Sequence, residues 1–310
     1  MNTFTISSAL QRPGSFQLLL LLFIAGLCGF LVGAGLFPNW QVCVEMGQVI
    51  SGTVAYPSNN IPQYLCLVKT WSILNQICAL QLRMGFSEAM ISLVISGIIG
   101  AVSFQAITVL FFSISRNIII SLTIPFFICF MSYVGFGVVY PILFMESPHS
   151  FGRIGLVFVV LVIGLLNSGY LKTGSFLLGV APCVHPSFGS YCVFLVAFDL
   201  LLNFRKVIGT HKRLAVFFLS GLFIAVLSYA YQQTFIKDLP SLNSLEKSAY
   251  IASFVKYWDF HRSVPFNYLS PGFLIGLLGS LVSFFIIRSR KTGDSGSIYV
   301  FRLYIVSFLL

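Results

Sequence analysis

The sequence predicts an all-α fold, a polytopic transmembrane helix bundle of about seven to nine spans that forms one membrane domain over residues 1–310. The chain is 57% hydrophobic and only 8% charged, whereas soluble domains carry about 25% charged residues. Its mean hydropathy is +0.95. The apolar residues also fall into runs of about the 20 residues that one bilayer crossing needs, separated by short polar segments.

The charge balance indicates how the chain is oriented. The net charge is +10, and in a membrane protein Lys and Arg collect in cytoplasmic loops. The positive charge therefore indicates contact with the lipid bilayer and not a nucleic-acid partner. The densest basic clusters, Arg205–Arg213 and Arg288–Lys291, are assigned to the cytoplasm. The first apolar run, Phe16–Phe37, is too long for a cleavable signal, so it predicts a retained first span with a cytoplasmic N-terminus.

Residues 38–87 are predicted to form a first extracytoplasmic loop with two interfacial helices, near 40–52 and 65–82. The next span, Met90–Ile114, begins after Ser87 and Glu88 in the manner of a helix N-cap. Two alternatives stay open for the helix near 65–82, which either crosses the membrane or lies flat at its surface. If it lies flat, the short stretch Gly174–Pro182 must contribute to a broken crossing.

Prolines predict interrupted helices in the middle of the chain. The segment Asn117–Tyr140 contains Pro125 and is expected to kink. A short helix over Gly174–Pro182 and a full span over Ser187–Phe204 are expected on either side of a break.

Residues 232–267 are predicted to form a second extracytoplasmic loop between the spans Leu214–Tyr231 and Leu269–Ile287. Its middle repeats apolar residues at helical spacing, which predicts an amphipathic surface helix near 241–258.

The chain has only eight acidic residues, so the search for a general base is short. Two of them, Glu45 and Asp259, stand out in the outer loops. An acid that borders a cleft at the membrane surface is a functional candidate, although Glu45 could equally solvate an exposed helix face. Asp259 precedes His261 and Arg262, a group suited to a phosphate or a sugar because Arg binds phosphate through two nitrogens. The alternative is an aromatic-belt anchor with its own ion pair.

His185 lies between two prolines at the predicted helix break. Broken helices border ligand sites in membrane proteins, and the alternative is a helix-capping or core histidine. The seven cysteines form no CxxC pair and no cluster with His of metal-ligand spacing, so no metal site and no cofactor are expected. Cys43 and Cys66 share the first outer loop and could pair in an oxidising compartment.

The order of these features resembles the GT-C class of integral-membrane glycosyltransferases, which use polyprenyl-phosphate-linked sugars. In that class the first helix ends at a proline, as at Pro38, and a proline-containing loop and an amphipathic helix precede a G-x-S-E motif, as at Gly85–Glu88. The segment Thr173–Pro186 resembles a later signature of the class, with His185 where Lys is common. The similarity covers roughly residues 16–231.

This chain departs from the class at its catalytic acid. The acid is expected at position 39, 40 or 41, where this sequence has Asn39, Trp40 and Gln41. Glu45, about one turn later, is the nearest substitute. The final apolar run, Ile298–Leu310, is too short to span. This fits either a divergent chain shortened relative to a longer parent or a tail that lies in the membrane interface.

The resemblance implies sugar transfer from a polyprenyl-phosphate donor to a cell-envelope acceptor, on the outer side of a bacterial plasma membrane. Glu45 would act as the catalytic base. The substrate-binding residues implied with it are Trp40, Lys69, His185, Asp259, His261 and Arg262. The alternative is a non-catalytic membrane protein, either a transporter of a polar or lipid-linked solute or an assembly subunit, that keeps the fold without the acid.

Overall fold

The computed structural model describes residues 15–36, 38–55, 61–133, 150–202, 212–236 and 242–253, with positions 256, 278 and 281. All regular secondary structure in these ranges is helical, which confirms the all-α class. The helices are α1 (Ser15–Gly35), α2 (Val42–Ser51), α3 (Ile61–Lys69), α4 (Ile73–Arg83), α5 (Glu88–Ser115), α6 (Ile118–Tyr133), α7 (Ser150–Asn167), α8 (Leu171–Val184), α9 (Pro186–Leu202), α10 (Lys212–Ile236) and α11 (Ser244–Ser253).

Three of the described helices are long and apolar enough to cross a membrane, over Phe16–Gly35 in α1, Glu88–Ser115 in α5 and Leu214–Ile236 in α10. The expected number of about seven to nine is therefore not met by the described residues. Apolar helices such as α8, with 14 residues, cover only about 21 Å of a ~30 Å hydrocarbon core. Hydropathy reports how apolar a stretch of sequence is. It does not show where prolines and capping residues end a helix, so an apolar stretch can form shorter helices. The predicted span Leu269–Ile287 lies almost wholly outside the described residues.

Helices α1 and α5 pack with their backbones almost in contact. A Cβ atom on Gly29 would overlap the carbonyl oxygen of Gly100, and one on Gly33 would overlap that of Ser96. The pairing is antiparallel, since Gly26 meets Gln105 further along α5. Small residues favour this approach in lipid, where close van der Waals contact replaces the hydrophobic effect between helices.

Helices α8 and α10 meet in the same way. A Cβ atom on Gly179 would overlap the carbonyl oxygen of Phe218, and one on Gly221 would overlap that of Phe176. The third candidate span is therefore attached to a helix that is too short to span by itself.

The contacts between α5, α7 and α8 fix the direction of these helices. Ile154, near the start of α7, packs in the same apolar cluster as Ile91 near the start of α5. At the far end the Asn167 amide donates to the Ser113 hydroxyl at 2.7 Å. Helix α8 runs back, so that His185 returns to Gly155 of α7. We name the part of the bundle that contains α2, α3, α4, the starts of α5 and α7, and the end of α8 the loop end.

The structure divides the helix predicted near 65–82 into α3 and α4. The backbone of Ser72 between them is extended, with φ −157° and ψ 138°. Its hydroxyl accepts from the Leu74 amide at 3.3 Å and donates to the Val184 carbonyl at 3.0 Å. At 9 and 11 residues, neither helix is long enough to cross a bilayer. The helix predicted near 40–52 occurs as α2.

Several other local expectations match the described elements. Ser87 caps α5 by accepting from the Met90 amide at 3.3 Å. Pro125 lies inside the continuous helix α6, and the expected kink there stays a prediction. The break predicted between the two prolines falls at His185, but Pro182 lies inside α8, which continues to Val184. The full span expected over Ser187–Phe204 is the shorter helix α9. Helix α10 extends to Ile236, beyond its expected end at Tyr231. The range predicted near 241–258 contains the helix α11 over Ser244–Ser253, and its place on a membrane surface stays a prediction.

The glycine contact between α1 and α5 predicts a destabilising substitution. Gly29→Ala should lower the free energy of unfolding by about 1–3 kcal/mol, because its methyl group has no space against Gly100. The matched control is Gly35→Ala, since a Cβ atom there meets nothing within 4 Å. Thermal unfolding in detergent measures both variants, and equal midpoints would contradict this packing.

Candidate functional site

Glu45 lies in the first turn of α2 and is partly exposed. A negative charge is favourable there because the helix N-terminus carries partial positive charge. The adjacent residues of α2, Val44 and Met46, are buried, so one face of this helix is packed while Glu45 lies at its edge. Within the described residues its carboxylate makes no hydrogen bond or ion pair.

The segment just before α2 is tied to α5. The Asn39 amide donates to the Ser96 hydroxyl at 3.2 Å, and the Gln41 side-chain amide donates to the same hydroxyl at 2.7 Å. Between them Trp40 is 48% exposed. Gln41 itself is 2% exposed, and its Oε1 has no partner among the described residues. At Gln41, one of the three positions where the resemblance implies a catalytic acid, the chain therefore has a buried amide with a structural role.

The far end of α2 is also held by side chains. Arg83 of α4 donates through Nη2 to the Ile50 carbonyl at 3.2 Å and through Nε to the Ser51 carbonyl at 3.4 Å. A cation at these carbonyls satisfies the last acceptors of the helix and opposes its dipole. Gln48 donates to the Glu88 carboxylate at 3.2 Å. Helix α2 is therefore fixed at both ends around Glu45.

Lys69 is the last residue of α3 and is exposed. The carbonyl of the preceding residue, Val68, accepts from the Gln232 side chain of α10. No ion pair between Lys69 and Glu45 occurs in the described ranges, so these two predicted site residues share the loop end without touching.

His185 joins α8 to α9 and caps both helices. Its backbone is extended, with φ −149° and ψ 113°, and its amide donates to the Ala181 carbonyl at 3.1 Å. Its Nδ1 accepts from the Phe188 amide at 3.2 Å, which places the proton of the neutral ring on Nε2. The side chain is 6% exposed and lies against Gly155. This geometry fits the capping interpretation, and a ligand role for His185 stays a prediction.

Asp259, His261 and Arg262 lie outside the described residues. The structure therefore places four of the seven predicted site residues, all at the loop end. The hydrogen bond from the Ser72 hydroxyl to the Val184 carbonyl links two parts of the loop end. It joins the start of α4, which packs on α2, to the end of α8 beside His185.

A buried polar network at the loop end was missed by sequence reasoning. The Gln76 amide donates to the Ser228 carbonyl at 2.8 Å and to Gln232 Oε1 at 3.1 Å. The Ser228 hydroxyl donates back to Gln76 Oε1 at 2.9 Å and accepts from Trp71 Nε1 at 3.0 Å. The signal in the sequence is the four-residue spacing of Ser228 and Gln232, which puts both on one face of α10.

The comparisons with known proteins give no relative, since no family model, no curated protein and no solved structure matches this chain. Among the described residues there is also no group of three or more His, Cys, Asp or Glu side chains that could hold a metal ion.

The double cap at His185 predicts a graded loss of stability. His185→Ala removes the acceptor of the Phe188 amide and should cost about 1–2 kcal/mol of unfolding free energy. His185→Asn supplies an amide oxygen, a favoured N-cap acceptor, and should lose less. Thermal unfolding measures the pair, and equal losses would contradict a capping role.

The network on α10 predicts a second difference between neighbouring residues. Gln232→Leu leaves the buried Val68 carbonyl without its donor and should cost about 1–3 kcal/mol. The control is Gln233→Leu, because Gln233 is exposed on the same helix. Limited proteolysis between α3 and α4 should accelerate only in the first variant. If both variants are cleaved at the wild-type rate, the network does not hold the loop end.

Proposed function

We propose that this protein is an integral membrane glycosyltransferase of the GT-C type, which transfers a sugar from a polyprenyl-phosphate donor to a cell-envelope acceptor with Glu45 as the general base. The observation that supports this role is the state of Glu45. Its carboxylate is partly exposed and has no hydrogen bond or ion pair within the described residues, on a helix fixed at both ends.

The proposed reaction is a single displacement at the anomeric carbon of the donor sugar. Glu45 removes the proton of the acceptor hydroxyl, whose oxygen forms the new bond to carbon. The bond from carbon to the phosphate oxygen breaks, and its electron pair leaves with the polyprenyl phosphate. A positioned base of this kind contributes about 10²–10⁴-fold to a rate.

The remaining predicted residues have binding roles in this proposal. Lys69, His261 and Arg262 neutralise the leaving phosphate, and the exposed ring of Trp40 offers a face to the sugar. Asp259 and His185 complete the substrate-binding residues of this proposal.

The proposed location is the bacterial plasma membrane, with the N-terminus in the cytoplasm and the loop end outside. The basic segment 205–213 supports this orientation, because it connects the ends of α9 and α10 that lie away from the loop end. The further crossings of a seven- to nine-span bundle would come from α6 to α9 and from residues outside the described ranges.

A non-catalytic membrane protein, either a transporter or an assembly subunit, is the second candidate. The observation that favours it is Gln41, a buried amide in the region where the class carries its acid. Such a protein would keep the donor-binding surface or the fold and perform no transfer.

The test compares two acid-to-amide variants in proteoliposomes supplied with polyprenyl-phosphate-linked [14C]glucose or [14C]mannose and a cell-envelope extract as acceptor. Glu45→Gln should lower transfer of label by about 10²–10⁴-fold. The role of Glu88 is structural, since it accepts a hydrogen bond from Gln48. The matched control Glu88→Gln should therefore retain activity.

Full activity of the Glu45→Gln variant would remove Glu45 from the mechanism. Thermal stabilisation of the wild-type protein by the same lipid donors without any transfer would favour the non-catalytic candidate. Neither stabilisation nor transfer with any polyprenyl-phosphate sugar would contradict the glycosyltransferase proposal.

A further inference from the structure

Two cysteine side chains meet where α2 packs on α4. Cys43 is 1% exposed and Cys78 is fully buried. One turn after Cys43, a Cβ atom on Gly47 would lie 2.8 Å from the Cβ of Cys78. The missing side chain at Gly47 therefore lets α4 approach α2 closely. Cys43 and Cys78 also belong to the same buried cluster, with the Cys43 side chain beside the Cys78 thiol.

We propose that Cys43 and Cys78 form a disulfide that joins α2 to α4 when the protein matures in an oxidising compartment. Both residues are thiols in the structure. A disulfide needs Cβ atoms about 3.5–4.5 Å apart, so it requires closely packed helices, as α2 and α4 are at Gly47 and Cys78. The partner of Cys43 is then Cys78 and not Cys66, the partner considered from the sequence.

The bond forms by thiol–disulfide exchange with a donor that carries a reactive disulfide, such as a secreted dithiol oxidoreductase. The thiolate of one cysteine attacks the donor disulfide to give a mixed disulfide. The second cysteine then attacks the protein sulfur of that bond and releases the donor as a dithiol. Two protons and two electrons leave the cysteine pair, and the donor is reduced by the same two electrons.

The environment of the pair determines when this exchange takes place. The hydrogen bond with Cys43, followed by burial, raises the pKa of the Cys78 thiol far above its usual range. Few thiolates form in the docked state, so the folded reduced pair reacts slowly. Oxidation is therefore expected during folding or on transient separation of α2 from α4, and the finished bond is shielded from reductants.

The disulfide would restrain the same helices that carry the loop end. Cys43 lies two residues before Glu45, and Cys78 lies on the helix that Ser72 attaches to the Val184 carbonyl. A covalent link between them restricts the unfolded chain over residues 43–78, which stabilises the folded state. This inference does not depend on the proposed enzyme activity, but it rests on the proposed orientation, which places the loop end outside the cytoplasm.

The test uses full-length protein in detergent, oxidised with an excess of oxidised glutathione during brief warming and then alkylated with N-ethylmaleimide in denaturant. Mass spectrometry of the digest should show the Cys43 and Cys78 peptides joined in the wild type. The Cys66→Ser variant keeps both members of the pair and should give the same joined peptides.

Two readouts decide the proposal. The oxidised wild type should unfold at a higher temperature than the same sample after reduction with dithiothreitol, and Cys78→Ser should show no such difference. If Cys43 and Cys78 both carry the alkyl label after oxidation, or if Cys43 is joined to Cys66, the proposal is wrong. Because the peptide evidence comes from the wild type and Cys66→Ser, a Cys78→Ser variant that fails to fold does not affect the decision.

Discussion

The packing of the described helices depends on glycine residues, at which the backbones of neighbouring helices come into direct contact. In lipid, apolar side chains gain little by leaving their surroundings, so helices associate through close packing and interhelical hydrogen bonds. Gly29 and Gly33 place α1 against α5 at Gly100 and Ser96. Ser96 serves two purposes at this contact, since its carbonyl faces Gly33 while its hydroxyl receives the Gln41 side chain. The packing of two long helices thereby fixes the start of α2, and with it the position of Glu45.

The glycine contact between α8 and α10 also fixes the loop end. Gly179 and Gly221 hold α10 against α8, and the polar face of α10 then reaches α3 and α4 through Ser228 and Gln232. A buried amide that loses its hydrogen-bond partner destabilises the folded state. The hydrogen bonds to α10 therefore fix the positions of α3 and α4. Two short helices without a span of their own thus acquire a defined position from polar bonds to a neighbouring span.

Local signals in the sequence predicted the parts of the fold that local physics determines. Long apolar runs predicted α1, α5 and α10, the cap at Ser87 predicted the start of α5, and two prolines predicted the break at His185. The division of α3 from α4 was not predicted, because Ser72 is extended to serve a carbonyl on α8, far away in the chain.

The candidate site was predictable to a similar extent. Counting the acids identified Glu45, but only the structure shows that its helix is held at both ends by residues from α4 and α5. The contact of Cys43 with Cys78 follows from Gly47, whose role is invisible in a residue count. The network around Gln232 was missed because its members come from three separate segments.

The contrast between Gln41 and Glu45 follows from burial. At 2% exposure, position 41 lies between Ser92 and Ser96, and an ionised carboxylate there would lose most of its hydration with only hydroxyl groups to replace it. The Gln41 amide carries no charge there and donates to the Ser96 hydroxyl. One turn later, Glu45 keeps contact with solvent and benefits from the N-terminus of α2. An ionised carboxylate is therefore more stable at position 45 than it would be at position 41.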